Sequence, residues 1–225
     1  VYGYDRVKTQ LTIELEQEGV IINYEFSSSS IPKAVMIESG ELLLITTPAI
    51  PSSHPHLTYL QNAGHKAIKR SEFLGQITEN KPTLGIAGTH GKTTITAILA
   101  HILDGTENGC NAFIGGVSAN TKSNLYWSRN AKWTVVEADE FDRSFHELSP
   151  THAVITSLDP DHLDIYGNEE SFIEAFEIFA DKVKEKLIVH HEIAQKFLEK
   201  TNLETYGIEQ KDIKLTHSAS KIGLA

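Results

Sequence analysis

The sequence is short of several things, and each shortage excludes a class of protein. It has a single cysteine, Cys110, so no internal disulfide can form and a reducing compartment is expected. It has no basic surplus. Lys and Arg total 20 against 30 Asp and Glu, a formal charge of −10, which argues against a general nucleic-acid or membrane-surface binder. Such a charge leaves nucleotide binding open, because that needs only local positive charge. No apolar run approaches the roughly 20 residues of a membrane span, and the N-terminus has no signal-peptide pattern. There are no repeats and no low-complexity tracts. The expectation is a cytoplasmic protein without nucleic-acid or membrane partners. Its 225 residues have room for one large domain or two modest ones.

What is present is an alternation of apolar runs and amphipathic stretches, which predicts parallel sheet with helices on its faces, an α/β fold. Helices are expected at 9–18, with Leu11, Leu15 and Ile13 inward, and at 56–63, 71–77 (capped by Ser71), 95–103, 171–184 and 192–200. On the helix at 171–184, Phe172, Ala175, Phe176 and Phe179 share one face. Strands are expected at 20–22, 42–45 (buried), 66–68, 84–87, 110–114, 133–136, 153–156 and 187–189, and near Leu203 and Ile213. The polar stretch Thr78–Pro82 marks a domain boundary. The pairs His54/His56 and His190/His191 read as surface residues, Cys110 as a small buried residue, and Trp133 as core. No G-x-S-x-G elbow or Ser–His–Asp pattern occurs, and no histidine pair is spaced with cysteines as a zinc site.

The most informative stretch runs from Leu84 to Thr94. An apolar run enters a glycine turn, Gly88-Thr89-His90-Gly91; Lys92, Thr93 and Thr94 follow, and then the helix expected at 95–103. That is the layout of a phosphate-binding loop. Backbone N–H groups and the helix N-terminus hold phosphate oxygens, Lys92 adds a charge, and Thr93 or Thr94 can ligate Mg²⁺. The strict motif is missed, since its first glycine would fall at Ile86. Two further clusters follow apolar strands: the acidic run from Glu137 (with Asp139, Glu140 and Asp142), and Asp159–Asp164 around His162. Ligands of such sheets bind at the C-terminal strand edge, where all three clusters fall. Glu137 is placed to reach a cation held by the loop hydroxyl. His162 reads as a second metal ligand or a phosphate contact.

The segments Gly88–Thr94, Glu137–Phe145 and Asp161–Tyr166, with Gly3–Arg6 and Thr47–Pro51, resemble the Mur ligases, ATP-dependent enzymes that assemble the peptidoglycan stem peptide. The histidine in the loop resembles the branch that uses UDP-N-acetylmuramate directly. The resemblance implies a Rossmann-like UDP-sugar domain at 1–80, lacking its first strand and glycine loop, and an ATP-binding central domain of P-loop type at 81–225, incomplete at its C-terminal end. It implies ATP and Mg²⁺ as cofactors, UDP-N-acetylmuramate and L-alanine as substrates, and an acyl phosphate as the intermediate. It also implies that Gly88, Thr89, His90, Gly91, Lys92, Thr93 and Thr94 line the nucleotide, that Lys92 neutralises phosphate, that Thr93 and Glu137 hold one cation and His162 a second. Several relatives carry a carbamylated lysine after the histidine, whereas residues 163–180 here contain no lysine. The alternatives are a ligase adding a preformed tripeptide to the same sugar nucleotide, and a nucleotide-binding module without catalysis.

Overall fold

The computed structural model describes residues 1–35, 42–118, 121–141, 143–161, 163–200 and 202–207. The chain divides into two compact units, Val1–Phe73 and Leu74–Ala225.

In the first unit, β1 (Tyr2–Tyr4) is followed by α1 (Gln10–Gln17) and β2 (Ile21–Asn23), and β1 and β2 pair in parallel. β3 (Leu44–Thr46) and β4 (Ala67–Lys69) flank α2 (Pro55–Asn62) and also pair in parallel. α1 starts where Thr9 caps it. The Thr9 hydroxyl accepts from the Thr12 N–H, and the Thr12 side chain accepts from the Thr9 N–H. This reciprocal cap buries Thr12, while Leu11, expected to face a core, is exposed. The strand expected to be buried at 42–45 is shifted to Leu44–Thr46, with Leu43 and Ile45 exposed. The histidines expected at the surface are instead buried: His54 and His56 are 2% and 4% exposed. For His56 the reason is satisfied polarity, whereas His54 Nε2 is buried without a hydrogen-bond partner. His56 meets the Tyr2 hydroxyl at 3.2 Å, the Ser30 hydroxyl at 3.1 Å and the Ser27 carbonyl at 2.8 Å, and Tyr4 and Phe26 pack edge-on against His54. A cavity of about 740 Å³ adjoins these rings, lined also by Asp5, Arg6 and Thr47.

α3 (Arg70–Glu79) leads into the second unit, and Ser71 lies inside that helix instead of capping it. There follow β5 (Thr83–Ala87), α4 (Lys92–Asp104), β6 (Cys110–Phe113), β7 (Leu125–Tyr126), β8 (Trp133–Glu137), β9 (His152–Ile155), α5 (Leu163–Tyr166), α6 (Glu169–Asp181), β10 (Lys186–His190) and β11 (Leu203–Tyr206). They build a seven-stranded sheet in the order β11-β10-β9-β5-β8-β6-β7, parallel except for the edge pair β6–β7. The expected helix at 192–200 is a 3₁₀ turn, His191–Phe197. The expected strand near Ile213 lies outside the described residues.

Because side chains alternate along a strand, Val135 and Val136 enter different cores. Val136 joins Ala87, Ile155, Val189 and the α6 phenylalanines, whereas Val135 joins Cys110, Ala112, Ala100 and Leu103 beneath α4. Phe172, Phe176 and Phe179 recur at helical spacing and are fully buried, as their shared face predicted. Phe145 stacks on Phe179 with centroids 5.1 Å apart and meets Phe176 edge-on. Each such ring contributes about 1.5–3 kcal/mol by burial. The sheet is therefore clamped on both faces, with β5 central between β8 and β9. The turn after β5 opens at the C-terminal edge. Among the described residues, no helix is long and apolar enough to cross a membrane.

Candidate functional site

The glycine turn between β5 and α4 is fixed by backbone demands. Gly88 has φ +120° and Gly91 has φ +82°, both in territory that side-chain-bearing residues avoid. Gly91 is the N-cap of α4 and brings no side chain to the helix end. The thirteen-residue helix thus presents its first N–H groups, and the positive end of its dipole, at the sheet edge.

The turn is bonded along its other side to the chain that leaves β9. The Thr89 N–H donates to the Ser157 carbonyl (3.2 Å) and the His90 N–H to the Ser157 hydroxyl (3.1 Å). The Thr156 hydroxyl donates to the His90 carbonyl, and the Thr89 hydroxyl to the Asp159 carbonyl at 2.8 Å. The exposed His90 ring lies 3.6 Å from the Asp159 carboxylate. The amides of Thr89 and His90 are therefore committed to the protein. Anion capacity is left with the amides that open α4, from Gly91 onward.

Lys92 and Thr93 face two different carboxylates, one at the end of β8 and one in the turn that follows it. The Thr93 hydroxyl donates to Glu137 Oε1 at 2.8 Å, and the Gly115 N–H donates to Glu137 Oε2 at 2.7 Å. Glu137 is partly exposed. The Lys92 ammonium donates to Glu140 Oε1 at 2.8 Å and to the Gly88 carbonyl at 2.9 Å. Glu140 is only 1% exposed, and burial raises its carboxyl above the usual range against the opposing pull of Lys92. Thr93 and Thr94 are both exposed, and of the two hydroxyls open on sequence grounds it is Thr93 that meets the carboxylate. His162 and Asp142 lie outside the described residues. Among those described, no three His, Cys, Asp or Glu side chains are grouped to hold a metal.

The Thr93 hydroxyl and the Glu137 carboxylate suit a hard cation such as Mg²⁺, which prefers a few oxygen ligands and retains several waters. Gly115 completes the cradle, since a Cβ there would come within 2.6 Å of the Glu137 carboxylate. Three features of this site were not assigned from the sequence: the Glu140 pairing, the Ser157 brace and the Gly115 amide. The only local signal was the hydroxyl pair Thr156-Ser157 directly after a strand.

Comparison with known proteins gives the family. Residues 1–82 match the model described as "Mur ligase family, catalytic domain", and residues 86–223 the model described as "Mur ligase middle domain". A UDP-N-acetylmuramate–L-alanine ligase of Parabacteroides distasonis is 48% identical over 184 residues, covering 82% of this chain and 40% of the relative. The chain thus spans about 40% of the length of the curated relatives it matches. A solved UDP-N-acetylmuramate:L-alanyl-γ-D-glutamyl-meso-diaminopimelate ligase from Neisseria meningitides superposes with a TM-score of 0.77 at 20% identity, covering 96% of this chain and 75% of that one. A UDP-N-acetylmuramate–alanine ligase from Thermotoga maritima gives 0.73 at 24% identity, covering 92% and 49%. At these identities the two structures speak for the fold. The family models cover both units, and on that ground the chain belongs to the Mur ligase family.

Proposed function

We propose that the full-length protein is a cytoplasmic ATP-dependent ligase joining L-alanine to the lactyl carboxylate of UDP-N-acetylmuramate, in peptidoglycan precursor synthesis. The observation that carries the reading is the junction of Thr93, Glu137 and Gly115 beside the uncapped start of α4. A hydroxyl and a carboxylate share one spot at the end of the central strands, next to a lysine and a helix dipole. A module that only binds nucleotide does not require a two-metal arrangement, which Glu137 and His162 would provide in this reading.

In this reading residues 81–225 hold ATP and residues 1–80 hold the sugar nucleotide, with the cavity beside His54 and Arg6 as its seat. The first amides of α4 and the Lys92 ammonium bind the terminal phosphates and fix the γ-phosphorus in line with the incoming carboxylate. Thr93 and Glu137 would hold Mg²⁺, with His162 as a ligand of a second ion. When bound, the cations offset repulsion between the anionic carboxylate and the phosphates. The lactyl carboxylate oxygen attacks the γ-phosphorus and ADP leaves. The L-alanine amine then attacks the acyl carbon, and inorganic phosphate departs with the C–O bond electrons. Thr89 and His90, tied to Ser157 and Asp159, keep the loop rigid while this happens.

The choice of L-alanine rests on relatives at 46–48% identity that carry that name. The experiment supplies the full-length protein with ATP, Mg²⁺ and UDP-N-acetylmuramate, and measures phosphate release with either L-alanine or the L-Ala-γ-D-Glu-diaminopimelate tripeptide. Stimulation by L-alanine is expected. Stimulation by the tripeptide alone would replace the proposal with the tripeptide ligase.

A further inference from the structure

Glu140, in the acidic turn after β8, is a carboxylate that the reaction scheme leaves without a task. Glu140 is almost wholly buried, yet its partner is the loop lysine, 48 positions away in sequence. Its backbone is held as well: the Tyr166 hydroxyl donates to the Glu140 carbonyl, and Arg143 lies over the Tyr166 ring, 4.9 Å from its centroid. The second oxygen, Oε2, is buried without a hydrogen-bond partner. A carboxylate in such a place is costly unless it answers a charge, and the charge it answers is Lys92.

We propose that Glu140 is a positioning residue that aims the Lys92 ammonium across the mouth of the phosphate loop. The proposal rests on the reading of that loop as the nucleotide site. An ammonium has three N–H donors. Glu140 Oε1 and the Gly88 carbonyl take two at 2.8 and 2.9 Å, and the third reaches the Thr89 carbonyl only at 3.5 Å. Two short bonds thus fix the direction of the weakly used third donor, the one available to a phosphate oxygen. Without Glu140 the flexible lysine stem would keep its charge but lose its aim. Nucleotide binding, a matter of charge and amides, should then survive, while transfer, a matter of alignment, should not.

The test uses the full-length protein with E140Q, which keeps the volume and an acceptor but removes the charge. With ATP, UDP-N-acetylmuramate and L-alanine, kcat should fall about 10- to 100-fold, the range a misplaced group produces. The calorimetric Kd for ADP should be unchanged or tighter, because a carboxylate near the phosphates has gone. In a K92M background E140Q should cause no further loss of kcat. Independently of catalysis, Lys92 should be acetylated faster by acetic anhydride in E140Q than in wild type, read by mass spectrometry. Unchanged kcat, additive losses with K92M, or an unchanged labelling rate would each overturn the proposal. If the wild-type protein releases no phosphate with either amine substrate, the ligase reading fails, and the labelling comparison alone decides the role of Glu140. Should E140Q not fold, Y166F is read in the same assays. Loss of that anchor should lower kcat with ADP affinity kept, and wild-type behaviour in Y166F would overturn the proposal.

Discussion

Replacing Gly88 by alanine should damage the protein far more than the same change at Gly91, although both glycines have positive φ. At Gly88 an added Cβ would run into the Thr156 hydroxyl and come within 2.8 Å of the Thr156 nitrogen and 2.9 Å of the Ser157 nitrogen. Two of those atoms are backbone, so no rotamer change relieves the clash. The loop must lift away from β9. Lifting it breaks the Thr156 N–H bond to the Ala87 carbonyl and the Thr89 N–H bond to the Ser157 carbonyl. Each is worth about 0.5–1.5 kcal/mol, and the unfavourable φ adds about 1–3 kcal/mol. A total of about 3–5 kcal/mol follows by adding these ranges near their middles. At Gly91 the nearest atom to an added Cβ is Ile95 Cδ1 at 3.7 Å. Only the left-handed backbone is charged there, about 1–2 kcal/mol. Urea unfolding of the two full-length variants, followed by intrinsic fluorescence, measures the difference. Gly91→Ala equal to or worse than Gly88→Ala would refute the idea that the close approach of loop to β9, beyond the backbone angle, selects glycine at 88.

Three further outcomes are expected. Gly115→Ala should push the Glu137 carboxylate off its seat, because the new Cβ would lie 2.6–2.7 Å from three of its atoms; ADP affinity measured by calorimetry should then lose most of its dependence on added Mg²⁺. His146 is held below its ordinary pKa, first by burial, with Lys182 and Arg143 adding to the effect against the bond from its ring to the Ala175 carbonyl. The unfolded chain therefore takes up a proton near pH 6.5 that the fold resists, so stability is full above that pH and falls as pH drops below it, by at most about 1.4 kcal/mol per pH unit for this group; His146→Gln should flatten that slope in urea titrations between pH 7 and 5. The Cys110 thiol is fully buried, donates to the Ala100 carbonyl and is pushed up to about 11, so at pH 8 a disulfide reagent such as dithionitrobenzoate should react only after the protein is denatured.

The parts legible in the sequence were those where one local rule decides the outcome. The run Leu84–Ala87, the glycine turn and the apolar stretch from Ile95 could only be strand, turn and helix, and they are, with the helix beginning earlier than expected, at Lys92. The phenylalanines of α6 recur at a helical period and fill one core. The parts that were not legible depend on partners far along the chain. Histidine is read as surface by default, yet His56 is buried because Tyr2, Ser27 and Ser30 supply partners from 26 to 54 positions away. Leu11 was read as inward from its spacing, but the Thr9–Thr12 cap turned Thr12 inward instead. The burial expected of the strand at 42–45 was not met for a different reason. Among the described residues β3 pairs only with β4, so its apolar residues need not be covered, and Ile45, like Leu43 just before the strand, is exposed.

The acidic run at 137–140 makes the same point about function. From sequence alone Glu137 stands apart by its place directly after a strand, while Asp139 and Glu140 read as members of an acidic cluster with no separate roles. Burial and bonding divide them. Glu137 remains partly exposed and is reached by a hydroxyl and an amide, which lets it give its oxygens to a hydrated cation without dehydrating the whole site. Glu140 is sealed in and reached by an ammonium, which it could not be if it also had to exchange with solvent ions. Adjacent residues at the start of α4, Lys92 and Thr93, face these two carboxylates separately. Interchanging the pair is therefore not neutral even though charge and composition are conserved: a threonine at 92 would leave Glu140 buried with no charge to answer it, and a lysine at 93 would place a fixed cation against Glu137, where the proposed Mg²⁺ would bind.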